Sequence, residues 1–215
     1  MKLAILISGR GSNMIALADY AAQHEVPCDI VAVIADQEAA GLTAASERNI
    51  PTFCIPASDY SDKVAHEAEI INTITKTEAD HIFLAGYMRV LSADFCAQFE
   101  NRLFNIHPSL LPRHKGLNTH QRAIEAGDKT HGCSVHLVEA GIDDGLVLAQ
   151  REVPVLDDDT PSTLAERVLT EEHQLYPALL GALATGLLTL HDGQPEMHIG
   201  TLPGLIDGRT CQWPV

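Results

Sequence analysis

Apolar runs alternate with longer segments of helical periodicity along the first half of the chain. The run from Lys2 to Ser8 is continuously apolar between its ends, as a strand buried on both faces requires. Further runs of this kind predict strands at 29–35, 52–55, 81–85 and 102–106. The segments between them predict four helices. The first spans 12–24 and is capped by Ser12 or Asn13, and the second spans 39–49. The third runs from a cap at Ser61 to Thr77, and the fourth begins at Ser92. This βαβα order predicts a Rossmann-like, mostly parallel, twisted sheet with helices on both faces.

The pattern changes after residue 106. A polar loop bounded by prolines leads to a short helix near 118–126, and strands at 133–138 and 146–155 flank an acidic, Gly-bounded turn at 141–145. Thr160 and Pro161 form a helix-start signal, and the apolar stripe that follows predicts a long helix with a kink at Pro177. The C-terminal part is therefore expected to contain antiparallel strands and a long helix. Since no linker divides the sequence, we expect one domain over residues 1–215.

Composition and charge narrow the classes of function. The 215 residues are 46% hydrophobic and 20% charged, which is typical of a globular protein, and 14 basic against 29 acidic residues give a net charge of −15. Such a charge disfavours broad contact with nucleic acid or anionic lipid. An anionic ligand would need cations concentrated at one place, and the sequence offers six candidates without showing which of them reach the cleft: Arg10, Lys63, Arg89, Arg113, Lys115 and Arg122.

Cysteine usage and hydropathy indicate a cytoplasmic protein. The five cysteines are an odd number without a C-x-x-C pair, which is typical of reduced thiols. The apolar run at the N-terminus is too short for a signal peptide. The longest uncharged stretch, 174–190, is interrupted by proline and glycine and is shorter than a membrane helix. We therefore expect no membrane and no nucleic-acid partner.

The turn between the first strand and the first helix carries the first candidate site. Glycines within residues 9–13 allow a tight turn, and the N–H groups at the start of a helix favour an anion. An ordinary βα turn is the plainer alternative. A dinucleotide fingerprint would need a glycine where Met14 stands, so only Asp36, after the second strand, favours a nicotinamide cofactor. A monophosphate held by three residues of the turn fits better: Gly11, Ser12 and Asn13.

A second candidate lies at the carboxyl end of the strand near residue 105. Asn105 and His107 are two positions apart, so both point to one side of the strand. An amide that binds an oxyanion beside an imidazole that moves a proton suits acyl transfer. A solvated histidine at a strand end is the alternative. Asp143 lies in an Asp-Gly turn typical of a hairpin, although a buried carboxylate there would raise the pKa of a nearby histidine or organise a water.

Four more histidines, at 114, 120, 131 and 136, raise the question of a zinc site. Their spacing matches neither H-E-x-x-H nor a Cys/His finger. We therefore expect no metal, and interpret these four side chains as surface, core or local hydrogen-bonding residues.

Four separated segments resemble the phosphoribosylglycinamide formyltransferase family in order and spacing. They are Ile7–Asn13, Leu84–Leu91, Asn105–Pro112 and Ile142–Gly145, and the resemblance extends from residue 1 to about 190. It implies a Rossmann-like sheet without a dinucleotide or a metal. It also implies transfer of a formyl group from 10-formyltetrahydrofolate to the amine of glycinamide ribonucleotide, in de novo purine synthesis.

The resemblance also implies roles for single residues of this sequence. Gly11, Ser12 and Asn13 would hold the substrate phosphate, with Glu172 near the ribose or phosphate. Asn105 would bind the formyl oxygen, His107 would be the acid and base, and Asp143 would tune His107 and, with a water, relay a proton. The folate pocket would be formed by Lys63, Met88, Arg89, Val90, Leu91 and Asn105.

We accordingly expect residues 1–104 to form a nucleotide- and phosphate-binding half and 105–190 a catalytic and folate-binding half, and the Gly- and Pro-rich residues 191–215 to form a C-terminal tail. Leu169 and Asp144 depart from the family pattern. Leu169 stands where relatives carry a polar or basic side chain, which would weaken phosphate binding. Asp144 stands where a small residue is common, which makes the folate loop more acidic.

Several alternatives stay open on the sequence. Methionyl-tRNA formyltransferase shares the His-Pro-Ser region but adds a basic C-terminal domain, and formyltetrahydrofolate deformylase adds an N-terminal one. Transfer to another amine is a further possibility. A non-catalytic nucleotide-binding module would leave Asn105, His107 and Asp143 unexplained, and a dehydrogenase would need NAD(P) despite Met14. A monomer and a homodimer are both compatible with the sequence.

Overall fold

Nine strands and six helices are present in the computed structural model, which describes residues 1–191 and 194–197. The strands are β1 (Lys2–Ile7), β2 (Asp29–Ala35), β3 (Thr52–Cys54), β4 (His81–Leu84), β5 (Leu103–His107), β6 (Thr130–Leu137), β7 (Val147–Pro154), β8 (Leu188–His191) and β9 (Gln194–Met197). The helices are α1 (Ser12–Gln23), α2 (Ala40–Ser46), α3 (Lys63–Thr77), α4 (Ala93–Gln98), α5 (Thr119–Glu125) and α6 (Pro161–Ala184), and a 3₁₀ turn spans Ala57–Asp59.

Seven of the strands form one sheet in the order β3-β2-β1-β4-β5-β6-β7. Pairing is parallel from β3 to β5 and antiparallel between β5, β6 and β7, while β8 and β9 form a separate antiparallel pair. The strand order reverses direction between β1 and β4, where an open α/β sheet leaves a crevice at its carboxyl edge. The predicted α/β fold, with antiparallel strands in the C-terminal part, is confirmed.

Two apolar clusters cover the two faces of the sheet. In β1, Leu3 and Ile5 belong to one cluster with residues of α1 and α6, whereas Ala4 and Leu6 belong to the other with residues of α3 and α4. This alternation follows from the two-residue repeat of a strand. Tyr176 of α6 is fully buried within the first cluster. Its hydroxyl lies 3.2 and 3.1 Å from the carbonyl oxygens of Leu84 and Phe104, so α6 is fixed to the strands that carry the crevice.

Two predicted helix caps are wrong. Helix α1 begins after Gly11, which has a left-handed backbone with φ 73° and offers no side-chain cap. The amide N–H groups of the first turn are therefore not taken by a cap. Helix α3 is capped by Asp62 rather than Ser61, because the Asp62 carboxylate accepts from the N–H of Ala65 at 2.8 Å.

Other boundaries differ by a few residues. Helix α2 is shorter than predicted, and β6 begins three residues earlier, at Thr130. Helix α6 starts with a capping box at Thr160 and continues through Pro177. Apart from 191 and 194–197, the predicted tail over 191–215 lies outside the described residues, as does Cys211; the other four cysteines are free. Among the described helices, none has the length and apolar character needed to cross a membrane.

Candidate active site

A cavity of about 300 Å³ opens where the strand order reverses. It lies between the loops that follow β1 and β4, and its lining consists of residues 8–13 together with Ala85, Gly86 and Met88. The three residues predicted to hold a phosphate, Gly11, Ser12 and Asn13, therefore line this cavity.

The first loop is shaped by a close approach of helix α2. The Gly41 N–H donates to the carbonyl oxygen of Gly9 at 3.1 Å. A Cβ atom at Gly41 would lie 2.5 Å from Cδ1 of Ile7 and 3.2 Å from Cα of Gly11, so only glycine fits there without displacing its neighbours. Together with the left-handed Gly11, this contact turns the free N–H groups of α1 toward the cavity.

Asn13 and Glu172 form a buried pair at the start of α1. The Asn13 amide donates to Glu172 Oε2 at 2.7 Å, and the two residues are 8% and 7% exposed. Burial raises the pKa of Glu172 to about 7, against the opposing effect of this hydrogen bond. The Asn13 Oδ1 atom is buried and has no hydrogen-bond partner within the described part of the chain. The pair thus combines the Glu172 carboxyl, which changes charge near neutral pH, with the Asn13 Oδ1 atom, which is an unused hydrogen-bond acceptor.

Asn105 and His107 stand on β5, as predicted, and β6 adds a third polar side chain. In the antiparallel register Asn105 lies opposite His136. The Nδ2 atom of Asn105 lies 3.1 Å from Nε2 of His136, and Nδ1 of His136 lies 2.7 Å from the carbonyl oxygen of Leu137. The histidine Nδ1 therefore carries the proton, and its Nε2 accepts from the amide of Asn105. One hydrogen on Asn105 Nδ2 remains available for a ligand.

His136 is the residue of this site that the sequence reasoning did not single out. The available signal was the alternation of Ser134 and His136 in a strand predicted to follow β5. The register of the two strands, which the sequence alone does not give, puts His136 beside Asn105.

The acidic turn brings Asp143 to His107. Its Oδ2 atom lies 3.3 Å from His107 Nδ1 and accepts from the Gly116 N–H at 2.8 Å, while Oδ1 lies 3.5 Å from His136 Nε2. Burial favours the neutral acid, but the neighbouring His136 ring, the hydrogen bond from the Gly116 N–H and the His107 ring outweigh it and lower the pKa of Asp143. The carboxylate is therefore ionised near neutral pH.

Burial of the His107 ring outweighs the expected effect of Asp143, which raises the pKa of His107, so the net shift is downward. His107 is 6% exposed, and burial lowers its pKa although Asp143 and the carbonyl oxygen of His114 both oppose the change. The Nε2 atom of His107 lies 3.2 Å from that carbonyl oxygen. The ring is thus neutral at rest, yet each of its nitrogens faces an acceptor that would stabilise an added proton.

The predicted folate loop follows β4 and is fixed at three points. Ser8 Oγ accepts from the Met88 N–H at 2.9 Å, and Asp36 Oδ2 accepts from Arg89 Nε at 2.8 Å. The Glu67 carboxylate accepts from both the N–H and the hydroxyl of Ser92.

The side chains of this loop are not equally available. Met88 and Val90 are 64% and 55% exposed, whereas Leu91 is buried in the core. The guanidinium of Arg89 is paired with Asp36, and Lys63 lies 3.6 Å from Glu67. The structure therefore places Lys63 near the far end of the loop, because Glu67 joins it to Ser92.

The other histidines make local contacts. His114 contacts Asp128 at 2.7 Å, and His120 contacts His131 at 3.1 Å, which confirms their interpretation as local hydrogen-bonding residues. Within residues 1–191 and 194–197, no group of three or more histidine, cysteine or acidic side chains is arranged to hold a metal ion.

Comparison with known proteins assigns the family. Residues 1–180 match the family described as formyl transferase. The chain belongs to the formyl transferase family. It is 39% identical over 204 residues to the phosphoribosylglycinamide formyltransferase of Escherichia coli strain K12, covering 94% of this chain and 96% of that protein. These values confirm the resemblance drawn from the four sequence segments.

Two further proteins are similar to most of this chain. The structure of phosphoribosylglycinamide formyltransferase from Brucella melitensis has a TM-score of 0.82 and 50% identity, covering 87% of this chain and 97% of that chain. The human trifunctional purine biosynthetic protein adenosine-3 is 40% identical over 190 residues, which are 88% of this chain and 19% of that protein.

Proposed function

We propose that this formyl transferase moves the formyl group of 10-formyltetrahydrofolate to the amine of 5-phosphoribosylglycinamide, a step of de novo purine biosynthesis. The observation that carries the proposal is the set of Asn105, His107 and Asp143 at the carboxyl edge of the sheet, with distances of 3.3 Å or less linking His107, Asp143 and Gly116. Relatives that match over nearly the whole chain bear the name of this activity.

The ribonucleotide binds at the cavity beside α1 in this proposal. Its phosphate accepts from the N–H groups of Gly11, Ser12 and Asn13, which carry the positive end of the helix dipole. Glu172 lies behind Asn13 and accepts from the ribose hydroxyls.

The folate cosubstrate lies along the loop after β4. The exposed side chains of Met88 and Val90 cover its apolar rings, and the backbone of Arg89 and Leu91 contacts its polar edge. Lys63, which is half exposed at the start of α3, faces its acidic tail. In this arrangement the formyl group reaches Asn105 and His107.

The residues at the end of β5 then divide the chemistry. The substrate amine attacks the formyl carbon, and the free N–H of Asn105 donates to the oxygen that becomes negative. His107, neutral at rest, takes the proton from the attacking nitrogen and returns it to N10 as the bond between the formyl carbon and N10 breaks. Asp143 and the His114 carbonyl oxygen stabilise the charged ring between these transfers. Because its pKa is lowered, Asp143 is a poor proton carrier and acts on the charge of His107.

The proposal is tested by following a 10-formyl folate spectrophotometrically with and without the ribonucleotide, together with mass spectrometry of the product. We expect loss of the formyl group only when the ribonucleotide is present, with a formylated product. Formate released without the ribonucleotide would identify a hydrolase instead, and turnover with a different amine alone would assign another acceptor.

Single substitutions test the roles within the site. We expect His107→Ala and Asp143→Asn to lower kcat by about 10²–10⁴ with little change in KM, as is usual for lost proton-transfer groups. His24→Ala, at the C-cap of α1 and away from the cavity, is the control and retains kcat. Turnover near that of the wild type in His107→Ala would disprove the assignment.

A further inference from the structure

The cations around the cleft are almost all engaged by acidic or backbone groups. Four of the six form ion pairs, and Arg122 donates to the carbonyl oxygen of Lys115. The four pairs are Lys63 with Glu67, Arg89 with Asp36, Arg113 with Asp128 and Lys115 with Asp144. Arg10 is the exception, because its guanidinium has no ion-pair or hydrogen-bond partner among the residues that the structure describes.

Arg10 lies at the tip of the loop that lines the cavity. It is exposed and stands between Gly9, whose carbonyl oxygen is held by Gly41, and Gly11, whose left-handed backbone starts helix α1. The same cavity is lined by Asn13, which is 8% exposed and whose Oδ1 is buried without a partner in the described chain. An unneutralised cation and the free N–H groups of a helix start thus line one cavity, beside a buried acceptor that suits a donor group of the same ligand rather than its phosphate.

Charge gives this single guanidinium unusual weight. The chain carries a net charge of −15, so a phosphate monoester approaches a protein of its own sign. A guanidinium can donate two parallel hydrogen bonds to phosphate oxygens, which a backbone N–H cannot do. Because Arg10 is not neutralised by a neighbouring carboxylate, its charge is available to an incoming anion.

We infer that Arg10 is a further binding residue for the phosphate of the acceptor substrate, in addition to Gly11, Ser12 and Asn13. This inference rests on the proposed function, since it assigns the phosphate of the ribonucleotide to this cavity. The guanidinium donates to the phosphate oxygens that face away from α1, while the amide N–H groups donate to the oxygens that face the helix.

The test compares Arg10→Gln with Lys76→Gln, which removes the same charge from an exposed position in the last turn of α3. That turn leads into the amino end of β4, at the opposite edge of the sheet from the cavity. We expect Arg10→Gln to raise the KM for the ribonucleotide about tenfold, in line with a charged hydrogen bond. The KM for the folate, kcat, and all constants of Lys76→Gln should stay within about twofold of the wild type. Arg10→Lys should be intermediate, since it restores charge but not the fork of donors.

A substrate without the phosphate separates binding from loop structure. With glycinamide ribonucleoside as acceptor, Arg10→Gln and the wild type should have the same KM. An equal loss with both acceptors would show that Arg10 supports the fold of the loop, and would overturn the inference. Unchanged KM for the ribonucleotide in Arg10→Gln would overturn it as well.

Direct titration distinguishes this inference from the proposed function. If the wild type forms no formylated product, the proposed function fails, whereas calorimetric titration with inorganic phosphate still reports on Arg10. Weaker phosphate binding by Arg10→Gln than by Lys76→Gln supports the site, and equal binding refutes it. The difference should shrink between about 0.05 M and about 0.5 M salt, because mobile ions screen exposed charges.

Discussion

Glu172 provides a prediction whose magnitude follows from its burial. The side chain is 7% exposed, and burial raises its pKa from an ordinary 4.5 to about 7. The unfolded chain therefore loses this proton near pH 4.5, whereas the folded chain keeps it up to about pH 7. Between these two pH values the free energy of unfolding falls as the pH rises, because the folded state binds one more proton than the unfolded state. At about 1.4 kcal/mol for each pKa unit, the loss reaches about 3 kcal/mol above pH 7.

The substitution Glu172→Gln removes the titration and retains an oxygen for the amide of Asn13. We expect the variant to exceed the wild type in free energy of unfolding by about 1 kcal/mol near pH 5.5 and by about 3 kcal/mol near pH 8. Urea denaturation followed by circular dichroism at both pH values measures the difference. Glu166→Gln, an exposed change on the same helix, is the control and should show no such widening. A pH-independent difference, or a less stable Glu172→Gln protein near pH 8, would refute the reasoning.

Two further predictions concern the loops on either side of the cavity. Asp36→Asn removes the charge that holds Arg89, so the KM for the folate should rise about 3- to 10-fold while the KM for the ribonucleotide is unchanged. Asp19→Asn, which breaks the exposed pair with Arg48, is the control, and equal effects of the two changes would contradict a role for Asp36 in the loop. Gly41→Ala forces a Cβ against Ile7 and Gly11, so it should lower the free energy of unfolding by about 1–3 kcal/mol and raise the KM for the ribonucleotide more than that for the folate. Wild-type stability and KM values in this variant would show that α2 does not shape the phosphate loop.

The fold was predictable because its signals are local. A strand buried on both faces must be apolar along its buried length, and β1 is apolar from Leu3 to Ile7. The helices between strands show apolar spacing that needs no knowledge of distant residues. Caps were harder to predict, since Ser12, Asn13 and Ser61 all have the chemistry of a cap. Asn13 instead donates to Glu172, 159 positions away, and that competition is invisible in the local sequence.

The site was only partly predictable, because its chemistry depends on register and burial. The two-residue spacing of Asn105 and His107 placed them on one side of β5, but the partner His136 follows from the pairing of β5 with β6. The sequence suggested that a carboxylate near His107 would raise its pKa. Asp143 has that effect, but loss of water around the ring outweighs it and the net pKa of His107 is lowered.

Charge compensation explains why a strongly acidic chain can still serve anionic ligands. Asp144, the departure expected to make the folate loop more acidic, is paired with Lys115, and Asp36 is paired with Arg89. These two acidic groups are thus neutralised by cations, which are then unavailable to a ligand. On our proposal, an anion at the carboxyl edge of this sheet is held by backbone N–H groups and by a cation that has no partner within the described chain. Among the described residues around the cleft, Arg10 has neither a carboxylate nor a carbonyl partner, whereas Arg122 donates to the carbonyl oxygen of Lys115. We therefore place the phosphate by the distribution of these contacts rather than by the net charge.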